Sequence, residues 1–212
     1  MKERFVMVAL ALLCILATLA STGRAAEVFH YHENGMVADA IFDSFDESGC
    51  VETTVLSSSE YAPKVQSAPG PGTQWTGTIL AISKFDYCDQ TLLMDAIGAD
   101  DYPPDFNFQV DPTLESASLT VPITVYDSVS AQYLNMKVQL TWTSSGPMTL
   151  ESDISNWTSP GITISNRLNG TYRWAQAVGS VSEGSTNFTP DVSAWGRVFR
   201  VKIGSLYVEN RQ

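Results

Sequence analysis

The two histidines of the sequence stand two apart, in His30-Tyr31-His32, with Glu33 beside them. On a strand, side chains two apart leave the same face. The pair therefore has the spacing to offer His30 and His32 to one metal ion, with Glu33 or a distant acid completing the set. An exposed strand near the mature N-terminus accounts for the same residues without a metal. A second candidate is rich in oxygen: Asp86, Asp89, Asp95, Asp100, Asp101 and Asp105 crowd a region that also holds Gly98, Pro103 and Pro104. Calcium takes carboxylate ligands of this kind, and Asp100, Asp101 and Asp105 are the set it would use. The stretch fails the EF-hand loop pattern, and solvated loop acids are the commoner case. No other cofactor is implied.

Catalysis needs more than this chain displays. A serine hydrolase requires a nucleophile, a base and an orienting group, yet there is no Gly-x-Ser-x-Gly elbow and the only histidines are the adjacent pair. Glycoside hydrolysis needs two carboxylates flanking the scissile bond, so a secreted carboxylate-dependent glycoside hydrolase is the alternative function. Glu151-Ser152-Asp153-Ile154-Ser155-Asn156 is the nearest approach to such a motif, with Asn156 where an acid is wanted. In so acidic a chain a Glu-x-Asp match is expected by chance. Five tryptophans and eight tyrosines can supply stacking surfaces for a sugar. Trp157 is out of phase with any apolar face and is the exposed candidate, although packing is the commoner fate of such a ring. A non-catalytic binding or interaction domain needs no missing parts, and its partner is expected to be a glycan or a protein.

The balance of charge narrows the partners. The chain carries 12 basic and 23 acidic residues, a formal charge of −11. From Glu27 to Glu115, 16 acids face only Lys64 and Lys84, whereas from Ser116 onward 6 acids face 7 bases. Nucleic acid and anionic membrane surfaces both demand basic residues to neutralise phosphate, and neither fits a surface this acidic. Solubility outside the cell is the plain meaning of such a charge.

The residues that position these groups begin with a leader. Lys2 and Arg4 precede an apolar run from Phe5 to Leu19, followed by the small-residue stretch Ala20 to Ala26. This is the three-part pattern of a secretory signal peptide, and the run falls short of the about 20 residues a membrane helix needs. Residues 1–25 are taken as the leader and 26–212 as one domain, with no membrane span after cleavage. The destination is the extracellular space, or the periplasm if the host has an outer membrane. Removing the leader takes Cys14 with it and leaves Cys50 and Cys88, an even pair that an oxidising compartment joins.

Within the domain, Leu134, Met136, Val138, Leu140 and Trp142 alternate with polar residues, the period of a half-buried strand. Leu119, Val121, Ile123 and Val125 alternate just upstream, and Asp127 to Gln132 separates the two runs as a hairpin turn. Weaker runs repeat the theme, and only Thr91 to Ile97 has the look of a short helix. Many short strands without helical periodicity predict an all-β antiparallel sandwich of two packed sheets, about 8–10 strands in all. Residues 57–74, with Ser57-Ser58-Ser59 and Ala68-Pro69-Gly70-Pro71-Gly72, read as a long flexible loop between two strands. Pairing of 50–56 with 75–88 across that loop brings Cys50 to Cys88. Asn156, Asn169 and Asn187 head sequons that matter only in a glycosylating host.

The exported protein is expected to start near Ala26 with Cys50 and Cys88 joined. Intact mass before and after reduction checks both points, and two alkylatable thiols in the unreduced protein would sink the second.

Overall fold

The computed structural model describes residues 28–67, 73–101, 103–159, 162–189 and 194–210. The expected leader, residues 1–25, lies outside them. The described residues form ten strands and no helix: β1 (Val28–Phe45), β2 (Val51–Ser67), β3 (Thr73–Asp86), β4 (Thr91–Asp101), β5 (Asn107–Val110), β6 (Ser116–Asp127), β7 (Gln132–Ser159), β8 (Ile162–Glu183), β9 (Thr186–Asn187) and β10 (Ala194–Asn210). The all-β, antiparallel expectation holds. All ten belong to a single sheet, in the order β10-β1-β2-β3-β4-β6-β7-β8-β9, with β5 on β6.

That sheet closes on itself. β10 pairs β1 from Ile41↔Trp195 to Val28↔Glu209, and it also pairs β8 from Ala194↔Ala177 to Asn210↔Ile162. Eight strands, β1, β2, β3, β4, β6, β7, β8 and β10, therefore form a ring in which each has two neighbours. The two-sheet sandwich is corrected to one closed sheet. Sandwich and barrel impose the same alternation on every strand. They differ only in whether the chain ends pair with each other, and β1 and β10 are too far apart in sequence for periodicity to reveal it.

Two local expectations also change. Residues 57–67 continue β2 instead of opening a loop. Ser57 and Ser59 point inward and are buried, and the Ser59 and Thr78 hydroxyls bond across the β2–β3 ladder at 2.7 Å. A serine run reads as loop, yet its small side chains fit an inward face, and the Ser59 hydroxyl finds its partner on the next strand. Thr91 to Ile97 is strand, not helix, with Met94 and Ala96 buried and their neighbours exposed. The expected β6–β7 hairpin forms, paired from Ser116↔Thr143 to Asp127↔Gln132, with Met136, Val138, Leu140 and Trp142 buried and Leu134 partly so.

Cys50 and Cys88 are joined, with Cα atoms 5.4 Å apart. The bond ties the β1–β2 turn to the β3–β4 turn at one end of the ring, where β2 and β3 meet at Val51↔Asp86. The neighbouring turn is pinned by Asp46, whose Oδ1 accepts from the amides of Cys50 and Val51 at 3.0 and 3.1 Å.

Closure brings backbones close, and glycines mark where. A Cβ on Gly98 of β4 would lie 2.3 Å from the Thr124 carbonyl oxygen of β6. One on Gly196 of β10 would lie 2.0 Å from the Asp39 carbonyl oxygen and 3.1 Å from Trp142 Nε1. Through that gap the fully buried Trp142 indole of β7 reaches β1 and donates to Asp39 O at 2.7 Å.

The weakest seam is β4 against β6, where only Ala96↔Asp127 and Ile97↔Tyr126 pair. Buried Asp127 reinforces it. Its Oδ1 accepts from the Asp95 amide at 3.0 Å and the Val129 amide at 3.2 Å, while Oδ2 accepts from the Ser130 amide and hydroxyl at 3.2 and 2.6 Å. Ser128 adds a backbone bond to Asp95 O. Burial pushes the Asp127 carboxyl up, but the Ser130 hydroxyl and the three amides outweigh it and hold the group below the usual carboxylate range.

Asp127→Ala should cost about 1 kcal/mol or more in urea unfolding at pH 7, because it takes the acceptor from three part-buried amides; a cost near zero would show that the seam does not limit stability. A carboxyl whose pKa is depressed on folding stabilises above its unfolded value and loses that contribution as pH falls through the folded one. The gap between wild type and Asp127→Asn should therefore be full at neutral pH and shrink below about pH 4.

Candidate functional site

The interior of the ring changes character along its axis, and the registers of β1, β2, β3 and β10 show this row by row. Nearest the disulfide end, Ala96, Ile82, Val55 and Phe42 stand side by side, all buried and apolar. The next row is Gly98, Leu80, Ser57, Ala40, Gly196 and Ala175. The third is Asp100, Thr78, Ser59, Ala38, Val198 and Arg173, and the fourth is Thr76, Tyr61, Met36, Arg200 and Thr171. Polarity thus rises from none in the first row to four of six positions in the third, Asp100, Thr78, Ser59 and Arg173, and four of five in the fourth, Thr76, Tyr61, Arg200 and Thr171. The facing wall stays apolar, with Leu119, Val121, Ile123, Leu140 and Val138 from β6 and β7 buried throughout. An amphipathic interior with one polar end is the result.

At that end β4 leaves β6 and β5 takes its place, pairing Phe108↔Leu119 and Val110↔Ala117. β5 also reaches β1 and β2. Between them lies a depression of about 380 Å³ lined by the aromatic rings of Tyr61, Phe106 and Phe108, the amides of Gln74, Asn107 and Gln109, and Thr76 and Pro103. The depression is open to solvent, and its lining is more polar than apolar, the three rings sharing it with the amides and Thr76. The segment after β5 folds inward beside it. Leu114 is buried, the Leu114 carbonyl accepts from Ser144 Oγ at 2.6 Å, and the Pro112 carbonyl accepts from Arg200 Nη2 at 2.5 Å. Asp111 caps this turn through the Thr113 hydroxyl and amide, contacts that hold its carboxyl below the usual range.

Outside the ring, alternate residues of β8 and β10 build an aromatic surface. Arg197 bonds Asp39 at 2.9 Å and lies over Phe199, with Tyr172 and Trp174 flanking it. Trp174 is 48% exposed and Trp195 75% exposed. They are diagonal neighbours on one face, because Trp174 stands opposite Arg197 and Trp195 opposite Gln176. The outer face of β7 is polar over Asn135, Lys137, Gln139, Thr141 and Thr143, whereas Leu150 and Ile154 farther along it, and Leu92, Leu93 and Ile97 of β4, are exposed apolar residues. No helix among the described residues is long and apolar enough to cross a membrane.

The candidates read from the sequence fall as follows. His30 and His32 belong to β1, opposite Tyr207 and Gln66, and their side chains lie outside the described residues. Trp157 belongs to β7 opposite Ile164, and its side chain likewise lies outside them. Asp100 faces inward beside Thr78, Asp101 is exposed opposite Gly77, and Asp105 is exposed at a positive φ of 53° in the turn before β5. Among the described residues, the one group of three metal-type ligands within 4.8 Å is Cys50, Asp86 and Cys88, and its sulfurs are spent on each other. The three aspartates are not gathered to that spacing. Glu151 is half-buried opposite Gly170, and the Asp153 side chain lies outside the described residues. The Asn169 side chain accepts from Ser152 Oγ at 2.8 Å, and Asn187 is exposed.

Sequence reasoning did not single out Tyr61, Phe108, Arg173 or Arg200. The signal for the arginines was present: Arg173 is in phase with Ala175 and Ala177, and Arg200 with Val198 and Gly196.

No protein family and no curated protein matches the chain. Among solved structures, it is similar to a protein described as an AttH from Nitrosomonas europaea, at 10% identity and a TM-score of 0.37, covering 90% of this chain and 57% of that one. It is also similar to the enduracididine biosynthesis enzyme MppR, at 8% identity and a TM-score of 0.33, covering 92% and 90% of the two chains.

Proposed function

We propose that the chain is an exported, non-catalytic binding domain that receives a small, partly apolar ligand at the polar end of its ring. The observation that carries this reading is the depression between Tyr61 and Phe108, set where the interior turns from apolar to polar. A ligand there gains from burying apolar area against the rings, while the surrounding amides and hydroxyls orient its polar part. The disulfide supports the expected export, since such bonds persist in oxidising compartments.

N-Phenyl-1-naphthylamine, a neutral apolar fluorophore, tests the reading. Saturable binding near one site per chain is expected, and Phe108→Asp should abolish it while leaving the far-ultraviolet circular dichroism of the sheet unchanged. Binding that is unsaturable, or indifferent to Phe108→Asp, would defeat the proposal. No turnover is expected on glycan, peptide or ester panels, with or without calcium and zinc. Hydrolysis that Glu151→Gln removes would favour the glycoside hydrolase instead.

The exposed Trp174 and Trp195 favour a second reading, in which the outer face of β8 and β10 stacks a glycan. Aromatic faces of this kind match the apolar faces of sugar rings, with Gln176 and the Asp39–Arg197 pair beside them to meet hydroxyls. A soluble glycan array should show signals that Trp195→Ala lowers several-fold. An array blank for the wild type would remove this face from consideration as a glycan site.

A further inference from the structure

We infer that the ligand held at the polar end carries a carboxylate, which Arg173 and Arg200 bind, and an apolar tail directed to the Tyr61–Phe108 depression. The inference rests on the reading of that end as a ligand site and names the ligand's chemical class.

The first observation is placement. Arg173 and Arg200 stand on adjacent strands, with Arg173 opposite Val198 and Arg200 opposite Thr171, so they are diagonal neighbours on the inward face. Diagonal neighbours lie about 7–8 Å apart, within common reach of two long side chains. Two cations turned toward an apolar interior are costly unless acceptors meet them.

The second observation is a shortage of acceptors. A guanidinium presents five N–H donors. Arg200 has the Pro112 carbonyl, a neutral partner. Arg173 has Glu115 at 4.0 Å, a residue whose side chain is 66% exposed and free to swing to solvent. Asp111, the other acid near Arg173, is engaged by Thr113. Asp100 occupies the same row on β4 and forms no ion pair with Arg173, whose one carboxylate partner among the described residues is Glu115. Among the described residues, two buried side-chain polar atoms have no partner, Arg173 Nε and Ser57 Oγ, and both belong to adjacent rows of this interior. Ser57 is 1% exposed. A planar oxyanion is the group that satisfies paired guanidinium donors, and it does so with charge-assisted bonds.

The third observation concerns the remainder of the ligand. Arg200, Met36 and Tyr61 occupy one row on β10, β1 and β2, so the arginine and the edge of the depression are about 10 Å apart. Met36, Phe106 and Phe108 are partly buried against the core. A free inorganic anion would leave this apolar path unused, whereas a carboxylate with a medium-length hydrocarbon tail fills both parts.

Displacement of N-phenyl-1-naphthylamine from the exported chain decides the matter, with dodecanoate, dodecanol and inorganic phosphate as competitors below micelle-forming concentrations. Dodecanoate should displace the probe at a concentration about tenfold or more below dodecanol, the effect of one net charge-assisted bond pair. Arg173→Gln with Arg200→Gln should erase that preference and leave dodecanol displacement unchanged, which also shows that the variant folds. Glu115→Gln should strengthen dodecanoate binding, since it removes the competing carboxylate. Equal displacement by dodecanoate and dodecanol in the wild type, or a preference that survives the double substitution, overturns the inference. Phosphate competing as well as dodecanoate overturns the tail and leaves a bare anion site. Failure of the fluorophore to bind at all defeats the underlying ligand site, which is a separate outcome.

Discussion

Ring closure at the β4–β6 seam is the constraint on which the rest of this structure depends. Every other junction of the eight-stranded ring has a long ladder, but β4 and β6 share two residue pairs before diverging. An open seam would leave two rows of backbone donors and acceptors unpaired and would admit water to the interior. Asp127 supplies acceptors where the ladder stops, binding the Asp95 amide of β4 while capping the turn that leads into β7. One carboxylate thus joins a strand junction to a hairpin turn. Gly98 lets β4 come close enough for this to work, since any Cβ there would meet the β6 backbone.

The divergence of β4 from β6 is also what makes the candidate site. Because β4 departs, β5 replaces it as the wall beside β6 and brings Phe108 and Val110 into line with Leu119 and Ala117. The exchange of one strand for another leaves a depression at the transition, and the 111–115 segment that follows is carried across the end of the ring toward Arg173 and Arg200. The far end needs no such opening. There the disulfide and the Asp46 turn hold short connections, and the interior is filled by Phe42, Val55, Ile82 and Trp142. A packed, cross-linked end beneath an open polar one is a stable base for binding.

Small inward residues on β1, β8 and β10 have the same origin. Ala38, Ala40, Ala175, Ala177 and Gly196 face the large side chains of β7, above all Trp142, whose indole bonds the β1 backbone across the ring. Interiors fill to near-crystalline density, so a large side chain on one wall demands small ones opposite. On the outer surface the relation is reversed. The strands that carry alanine inward carry Tyr172, Trp174, Trp195 and Phe199 outward, around Arg197.

Local chemistry was legible in the chain by itself. The alternation from Leu119 to Val125 and from Leu134 to Trp142 determined two strands, their inward faces and their hairpin, because side-chain direction on a strand follows from position alone. Two remaining cysteines in a chain with a leader pattern determined the disulfide. Composition misled where tertiary partners overrode it. Ser57 and Ser59 read as loop, yet both lie in β2 facing inward, Ser59 bonded to Thr78 across the ladder and Ser57 opposite Leu80. Ring closure, the substitution of β5 for β4, and the meeting of Arg173 with Arg200 and Tyr61 were decided only by tertiary structure. Each depends on pairing between residues distant in the chain, such as Ala38 with Val198, and the period of a single strand carries no information about which strand lies beside it.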